Sequence, residues 1–365
     1  MSKERVEQVI NQGVHRFLAD GVIYRDLMDI RAAMPDWSQW CAVWSQFAAA
    51  AEERGAQALR LSFTRTAARE FARAALYFHY AQNLFYDDLK LKRETHDRKV
   101  AAFKRAAPLL EPLLEPMKIA FDGVEMPGYL RVPPGRAKPP CVILLGGLDT
   151  TKEDYLGVND LCVERGLATL AFDGPGQGET LFRMPWRNDF ERAIGAVLDY
   201  LETRPEIDRG RIGIIGRSTG GYYAPRVAAT DKRIKAAVAW GAMYHLRNLA
   251  SIPAVTRDGF VFVSGSKSVE EALHFFECIN LEGMASKIRC PLLVVHGGLD
   301  TITPMENATR MIAEAGGPVE TLIWEDSGHC CHDRAHIVRP GMADFMARVK
   351  GESTPHSYPR LLWPD

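Results

Sequence analysis

The sequence has no excess of charge of either sign. Its 45 Lys and Arg residues nearly cancel its 46 Asp and Glu residues. Nucleic acids and anionic membranes attract a basic surplus, so this balance argues against both as partners and favours a small-molecule substrate. No apolar run approaches the ~18 residues that cross a membrane, and the first residues lack the apolar segment of a signal peptide. We therefore expect a cytoplasmic protein with no membrane partner.

Cysteine pairs with the spacing of a disulfide framework or a zinc site are also missing. The seven cysteines are odd in number and irregularly spaced, which is typical of a reducing compartment. Cys330 and Cys331 stand between His329 and His332. Adjacent residues seldom ligate one ion, however, and no second pair completes a tetrahedral site. We expect no metal.

A GxxxxGK[ST] phosphate loop is absent as well, which removes the usual cradle for phosphoryl transfer. The segment 172–180, "FDGPGQGET", has glycine spacing similar to that of a dinucleotide-binding turn. However, Pro175 interrupts this turn, and the strand before it is not the first of a βαβ unit. We predict a tight loop that shapes a pocket wall, and we expect no cofactor.

Strand signals are nearly absent from residues 6–107. Apolar residues recur there at intervals of three and four in alanine-rich segments such as "AAREFARAALYFHYAQNLF", which favour helices. Prolines then cluster near residue 115. The pattern predicts a helical N-terminal cap domain over residues 1–115. Aromatic residues at helical spacing are more often core than substrate contacts, and this expectation covers Trp37, Trp40, Trp44, Tyr77, Phe78, Tyr80 and Phe85.

Short β-branched runs alternate with helical segments beyond residue 115. The segments "MKIAFDG" and "PGYLRVPPG" predict a hairpin, and six apolar runs predict strands buried on both faces: "CVILLGG", "LATLAFDG", "RIGIIG", "IKAAVAWG", "PLLVVHGG" and "ETLIWED". This alternation predicts an α/β domain over residues 116–351 with a doubly wound, mostly parallel sheet. Residues 242–285 interrupt it, either as a lid insertion or as surface decoration. We expect residues 352–365 to be a C-terminal tail.

One serine stands at the end of a predicted strand between two glycines. Gly216-Arg217-Ser218-Thr219-Gly220 fits G-x-S-x-G and lies between the strand "RIGIIG" and a predicted helix. This is the turn that exposes a serine nucleophile at the edge of an α/β-hydrolase sheet, and glycines leave room for its strained backbone. We predict Ser218 as the nucleophile.

A serine hydroxyl needs a base, and the base needs an acid to orient it. In this fold the order along the chain is serine, acid, histidine, each after a strand. Asp300 follows "PLLVVHGGLD" and His329 follows "ETLIWEDSGH", so we predict these two partners. Asp300 could instead cap the next helix, in which case Asp326 would replace it as the acid. His332 lies further into the next helix, and His296 within its strand is expected to be structural.

The developing oxyanion needs hydrogen-bond donors held in advance. We predict the backbone N–H of Thr219, at the start of the helix after Ser218, as one donor. The second is predicted to be the backbone N–H of Leu148, in the loop where esterases place their H-G-x motif. Thr150 and Glu153 have the spacing of a capping box that starts the next helix.

With these residues assembled, the sequence resembles one branch of the α/β-hydrolases, the 2,6-dihydroxypseudooxynicotine hydrolase group. The segments "LLGGLDTTKED", "FDGPGQGET", "GRSTGGYYAPRVAA", "HGGLDTITP" and "DSGH" carry this resemblance behind a helical N-terminal domain. Related proteins are the fermentation-respiration-switch esterases and fungal hydrolases that shorten polyketides. The resemblance implies a cap that shapes the substrate cavity, hydrolysis without a cofactor, and often a homodimer. In some members the bond cleaved is a carbon–carbon bond next to a ketone.

The sequence departs from that group in the residues expected to act on the leaving group. The nicotine-pathway carbon–carbon hydrolase uses an additional carboxylate shortly after the strand that corresponds to "IKAAVAWG", whereas no acidic residue lies between Asp231 and Asp258 here. Either His245 or Tyr244 handles the proton, or the substrate is an ester or amide whose leaving group needs less help.

We therefore predict a serine hydrolase of a small ketonic or aryl acyl compound, with a carboxylesterase or amidase as the alternative. A prolyl-oligopeptidase-like peptidase is disfavoured because the N-terminal segment is predicted to be helical rather than a β-propeller. A non-catalytic binding protein stays open, because fold alone does not establish function.

Overall fold

The chain divides into two compact units between Glu115 and Pro116. The computed structural model describes residues 3–247 and 249–348. The predicted C-terminal tail, 352–365, and the last residues of the predicted α/β domain lie outside this range. No described helix is both long enough and apolar enough to cross a membrane.

The N-terminal unit, from residue 3 onward, is built from five α-helices. Their bounds are Lys3–Asp20 (α1), Tyr24–Ala33 (α2), Trp40–Arg60 (α3), Thr64–Gln82 (α4) and Leu89–Ala106 (α5). Short 3₁₀ turns, Trp37–Gln39 and Ala107–Leu109, precede α3 and follow α5. Asp88 begins α5 by accepting a hydrogen bond from the Leu91 N–H, as an N-cap residue does.

Aromatic side chains form the core of this helical unit. The Trp44 ring centroid lies 5.6–5.9 Å from those of Phe17, Trp40, Tyr77 and Tyr80. The seven aromatic residues singled out in the sequence are all buried. The Trp40 indole N–H donates to the Tyr80 carbonyl, and the Tyr77 and Tyr80 hydroxyls donate to aspartates of the same unit. Six of the seven form a connected set of ring contacts, and the Phe78 ring lies beneath the Arg98 guanidinium. Their burial agrees with the core role that their helical spacing predicts.

The described part of the second unit contains one eight-stranded sheet. Its strands are Glu115–Phe121 (β1), Val124–Arg131 (β2), Cys141–Leu145 (β3), Ala168–Phe172 (β4), Ile212–Arg217 (β5), Ile234–Trp240 (β6), Leu292–Gly297 (β7) and Val319–Trp324 (β8). The spatial order is β1-β2-β4-β3-β5-β6-β7-β8, with β2 antiparallel to β4 and every pair from β4 to β8 parallel. The predicted doubly wound, mostly parallel sheet is confirmed.

Helices connect the strands. They are Leu156–Glu164 (α6), Gly178–Leu181 (α7), Phe190–Glu202 (α8), Gly220–Thr230 (α9), Ala254–Ser264 (α10), Val269–Phe276 (α11), Glu306–Glu314 (α12) and Ala335–Arg348 (α13). The fully buried strand β3 shows why the sheet needs cover on both sides. Val142 and Leu144 belong to the core cluster that contains α6 and α13 residues, whereas Ile143 and Leu145 belong to the cluster that contains α8 residues.

The region 242–285 contains α10 and α11. Phe276 of α11 packs on Phe260 of α10 and on Trp186, with ring centroids 5.0 and 6.2 Å apart. The Trp186 N–H also donates to the Val263 carbonyl, at 2.9 Å. This region is thus joined to the segment before α8 by apolar and backbone contacts, and its role as a lid stays a prediction.

Candidate active site

Ser218 occupies a strained turn between β5 and α9. Its φ is 58°, in the left-handed region that side chains with a Cβ seldom adopt. The Ser218 N–H donates to the Trp240 carbonyl at 2.7 Å, and its own carbonyl accepts from the Gly221 N–H at 2.7 Å. These two backbone bonds tie the turn to β6 and α9. The half-buried serine is therefore held at the carboxyl edge of the sheet.

Two glycines make this turn possible. A Cβ at Gly216 would lie 1.9 Å from the Gly220 carbonyl oxygen. A Cβ at Gly220 would lie 2.7 Å from the Leu145 carbonyl oxygen and 2.9 Å from that of Gly146. Because backbone atoms occupy these positions, no other residue fits without moving the turn or the loop after β3.

His329 bridges the serine and an aspartate. Its Nε2 lies 2.9 Å from Ser218 Oγ, and its Nδ1 lies 2.6 Å from Asp300 Oδ2. The three residues follow β5, β7 and β8, whose carboxyl ends meet at one edge of the sheet. The structure thus brings together the three side chains predicted as nucleophile, acid and base, in the geometry of a Ser-His-Asp triad.

The Asp300 carboxylate is buried and saturated with hydrogen bonds. Oδ1 accepts from the Ile302 and Thr303 N–H groups, each at 2.8 Å, and Oδ2 accepts from the Thr303 hydroxyl at 2.7 Å. The capping alternative for Asp300 is wrong, because the N-cap residue of α12 is Met305 and Asp300 instead holds the loop before that helix. Burial raises the pKa of Asp300, but the charge of His329 and these hydrogen bonds outweigh burial and lower it to about 2.

The same pair shifts the pKa of the histidine. Burial disfavours the imidazolium, but the Asp300 charge and hydrogen bond prevail and raise the pKa of His329 well above its usual value. The ring is therefore a stronger base than a free imidazole, which suits the removal of a serine proton.

The alternatives considered in the sequence have other partners. Asp326 is exposed and pairs with the Arg334 guanidinium at 2.8 Å through both carboxylate oxygens. The His332 ring packs edge-on against Trp240. His296 is buried in β7, its Nε2 lies 2.9 Å from the Thr303 carbonyl oxygen, and burial lowers its pKa. His296 thus supports the loop that carries Asp300, which is a structural role.

One predicted oxyanion donor, the Thr219 N–H, follows the serine directly, and the other, the Leu148 N–H, is in the loop after β3. Among the described residues, neither the Thr219 nor the Leu148 backbone N–H donates a hydrogen bond to the protein. The loop of Leu148 reaches the serine, because a Cβ at Gly147 would lie 2.9 Å from Ser218 Cβ and 3.6 Å from its Oγ. Both assignments stay predictions, since a donor is identified by the charge it binds.

The capping box predicted after this loop is wrong by one residue. Thr151 is the N-cap and Asp154 its partner, before a 3₁₀ turn at Lys152–Tyr155 that leads into α6. The Thr150 hydroxyl instead accepts from the Arg217 guanidinium at 2.7 and 3.1 Å. Arg217 precedes the candidate nucleophile, so this bond joins the loops after β3 and β5.

A buried ionic cluster that lies near this loop was not predicted from the sequence. The Lys152 ammonium lies 2.7 Å from Asp173 and from Glu153, and 2.8 Å from Glu179. These three carboxylates have the spacing of a metal site, but they already surround a cation. Burial lowers the pKa of Lys152, yet the three carboxylates prevail and raise it well above its usual value. The sequence signal that could have predicted this cluster is the Lys-Glu pair in "TTKED" together with the Asp and Glu in "FDGPGQGE".

Tyr244 and His245, considered for handling the leaving-group proton, have partners on α12. The Tyr244 hydroxyl donates to Glu314, and the Tyr244 ring lies beneath the Arg310 guanidinium. His245 Nε2 lies 3.7 Å from Glu306, and burial lowers the pKa of this imidazole. Within the described residues, neither side chain hydrogen-bonds to Ser218, Asp300 or His329.

A doubly wound sheet with Ser, Asp and His after β5, β7 and β8 defines an α/β-hydrolase. Comparison with known proteins narrows the class. A family model described as Esterase FrsA-like matches residues 21–314. The chain belongs to this family, and it is an enzyme of the hydrolase class.

Similar proteins agree with this placement. The chain is 33% identical to 2,6-dihydropseudooxynicotine hydrolase of Paenarthrobacter nicotinovorans, over 94% of this chain and 92% of that one. A crystal structure of the 2,6-dihydroxy-pseudo-oxynicotine hydrolase, 33% identical, superposes with a TM-score of 0.86 over 92% of this chain and 95% of the other. The alpha/beta hydrolase xenA of Xenoacremonium sinensis is 36% identical over 59% of this chain. The chain covers only 54% of that relative's length.

We expect the Lys152 cluster to stabilise the catalytic unit. Lys152→Met leaves Asp173 and Glu153 buried without their cation, so the free energy of unfolding should fall by about 3–5 kcal/mol. Lys118→Met is the matched control, because Lys118 pairs with Glu125 on the exposed hairpin and should change stability by less than about 1 kcal/mol. Urea unfolding measures both variants. Equal losses in the two variants would contradict this role of the buried cation.

Proposed function

We propose that the protein hydrolyses a small carbonyl compound through an acyl-enzyme on Ser218. His329 takes the hydroxyl proton as Ser218 Oγ attacks the carbonyl carbon, and Asp300 holds the imidazole and stabilises its charge. The backbone N–H groups of Thr219 and Leu148 bind the oxyanion. His329 then protonates the leaving group, and water releases the acyl group. The observation that carries this proposal is the continuous hydrogen-bond chain Ser218–His329–Asp300 behind a strained serine turn.

The substrate class follows from the resemblance and from the similar protein of Paenarthrobacter nicotinovorans. A pseudooxynicotine hydrolase, 33% identical over nearly the full length of both chains, supports a small ketonic or aryl acyl compound as substrate. Hydrolysis of a carbon–carbon bond in such a ketone expels a carbanion, which needs a proton as the bond breaks. In the geometry described above, His329 is the group that supplies it.

Ester or amide hydrolysis is the second candidate. It is supported by the match to the Esterase FrsA-like family and by the lack of an acidic residue between Asp231 and Asp258. An alkoxide or phenoxide leaves more readily than a carbanion, so a site without an extra carboxylate suits it. A β-diketone and a phenyl ester with the same acyl group separate the candidates. Turnover of the diketone favours carbon–carbon hydrolysis, and turnover of the ester alone favours the esterase.

We also propose that the protein acts in the cytoplasm as a homodimer without metal or cofactor. The supporting observations are the seven free cysteines and the resemblance to a group that often forms dimers. Light scattering after gel filtration measures the assembly. A particle of about 40.7 kDa, the mass of one chain, would contradict the dimer.

Replacement of the candidate nucleophile should abolish ester turnover. We expect Ser218→Ala to lower kcat/KM for p-nitrophenyl acetate by at least about 10³-fold, because the remaining site has no atom to carry the acyl group. Thr230→Ala is the control. Thr230 is an exposed hydroxyl residue at the end of α9, so this variant should retain wild-type turnover. Turnover by Ser218→Ala equal to that of the control would overturn the proposed function.

The acidic limb of the pH profile should report on His329. Hydrolysis needs the neutral imidazole, and the raised pKa of His329 places the rise of kcat/KM above pH 6.5. In Asp300→Asn the carboxylate is gone and burial remains, so the limb should move to lower pH while kcat falls by about 10⁴-fold.

Asp326→Asn is the control for this profile, because Asp326 pairs with Arg334 at the surface. Its profile should match that of the wild type. A wild-type limb at or below pH 6.5, or the same limb in Asp300→Asn, would contradict the proposed pairing.

A further inference from the structure

Gln177 lies in the loop between β4 and α7 and is almost fully buried, with 2% of its surface exposed. Its Nε2 donates to the Gly146 carbonyl at 2.8 Å and to the Gly147 carbonyl at 3.0 Å. Its Oε1 accepts from the Gly174 N–H at 3.2 Å. Two carbonyls on one side and one N–H on the other admit a single orientation of this amide. The side chain therefore connects the loop after β4 to the loop after β3.

The carbonyl of Gly147 and the N–H of Leu148 belong to the same peptide unit. In a planar trans peptide these two groups point in opposite directions. When Gln177 holds the Gly147 oxygen on its own side, the Leu148 N–H is turned to the opposite side. The hydrogen bond from Gln177 thus sets the direction of the predicted oxyanion donor.

This peptide adjoins the serine. A Cβ at Gly147 would lie 2.8 Å from the Arg217 carbonyl oxygen and 2.9 Å from Ser218 Cβ. A small rotation of the peptide would therefore move the Leu148 N–H relative to Ser218 Oγ. A donor contributes fully only when it is within hydrogen-bond reach of the position that the oxyanion will occupy.

The loop of Gln177 is itself rigidly supported. Asp173 accepts from the Lys152 N–H at 2.9 Å, from the Lys152 ammonium at 2.7 Å and from the Glu179 N–H at 3.1 Å. The Gln177 N–H donates to the Gly174 carbonyl, and the Gln177 carbonyl accepts from the Leu181 N–H, each at 3.0 Å. A side chain whose own conformation is locked in this way can hold another loop in a fixed geometry.

The geometry points to Gln177 as a positioning residue that aims the Leu148 N–H at the oxyanion by holding the Gly146 and Gly147 carbonyls. Gln177 does not touch the substrate in this account and acts through the peptide it binds. The inference rests on the proposed function, because it assigns a support to one of that mechanism's donors.

Gln177→Met and Gln177→Glu test it. Met keeps the length of the side chain and removes its donor, whereas Glu keeps the acceptor for Gly174 and places an oxygen against both carbonyls. Each should lower kcat for p-nitrophenyl acetate by about 10- to 100-fold, less than the loss of a whole donor. KM should change by less than about threefold, since the ground-state carbonyl carries little charge.

A transition-state analogue separates positioning from general damage. An aryl trifluoromethyl ketone forms a charged tetrahedral adduct on the serine, so its Ki should rise by the same factor as kcat falls. Rates are expressed per active site, counted with a fluorophosphonate titrant, so that unfolded protein does not contribute. Asn159→Leu is the control. Asn159, on α6, is a buried amide whose oxygen accepts from the Thr169 hydroxyl on β4, and its loss should lower stability without changing kcat per site.

The outcomes distinguish this inference from the proposed function. If Ser218→Ala retains turnover, the proposed function fails, and the role of Gln177 fails with it. If Ser218→Ala is inactive but both Gln177 variants keep kcat and Ki within twofold of wild type, only the positioning role is overturned. A parallel loss of kcat and analogue affinity, absent from Asn159→Leu, supports it.

Discussion

The left-handed backbone of Ser218 is the constraint on which the rest of the site depends. A residue with a Cβ in this region costs about 1–3 kcal/mol and persists only where its surroundings fix it. Here the Trp240 carbonyl and the Gly221 N–H hold the turn, and the close approach of Gly216 to Gly220 leaves no room for relaxation. The buried strands at the centre of the sheet hold this strained turn, and the turn presents the serine hydroxyl to His329.

Buried, hydrogen-bonded carboxylates fix the loops at two other strand ends. Asp300 and Asp173 are buried carboxylates in the loops after β7 and β4, and each accepts from backbone N–H groups. Asp173 also pairs with the Lys152 ammonium, and Asp300 with the His329 imidazole. Burying such charges costs several kcal/mol unless partners surround them. The cluster around Asp173 fixes the loop that carries Gln177, whereas Asp300 fixes the imidazole. One carboxylate thus supports the proposed oxyanion site and the other the proposed base.

The strands and the residues at their ends could be predicted from the sequence, because local pattern and chain order determine them. Apolar β-branched runs predicted the parallel strands, and chain order placed Ser218, Asp300 and His329 at strand ends. Prediction from the sequence failed where two distant loops meet. The capping box was placed at Thr150 because spacing alone cannot reveal that Arg217 takes that hydroxyl. The Lys152 cluster and Gln177 escaped for the same reason, since β3 and β4 bring their loops together only in the folded sheet.

The most direct test of the account is chemical identification of the nucleophile. A fluorophosphonate reacts with a serine whose hydroxyl is activated by a neighbouring base, and peptide mass spectrometry locates the adduct. We expect a single stoichiometric adduct on Ser218 that forms with loss of ester turnover and more slowly below the pKa of His329. An adduct on another residue, or full ester turnover by protein without any adduct on Ser218, would contradict it.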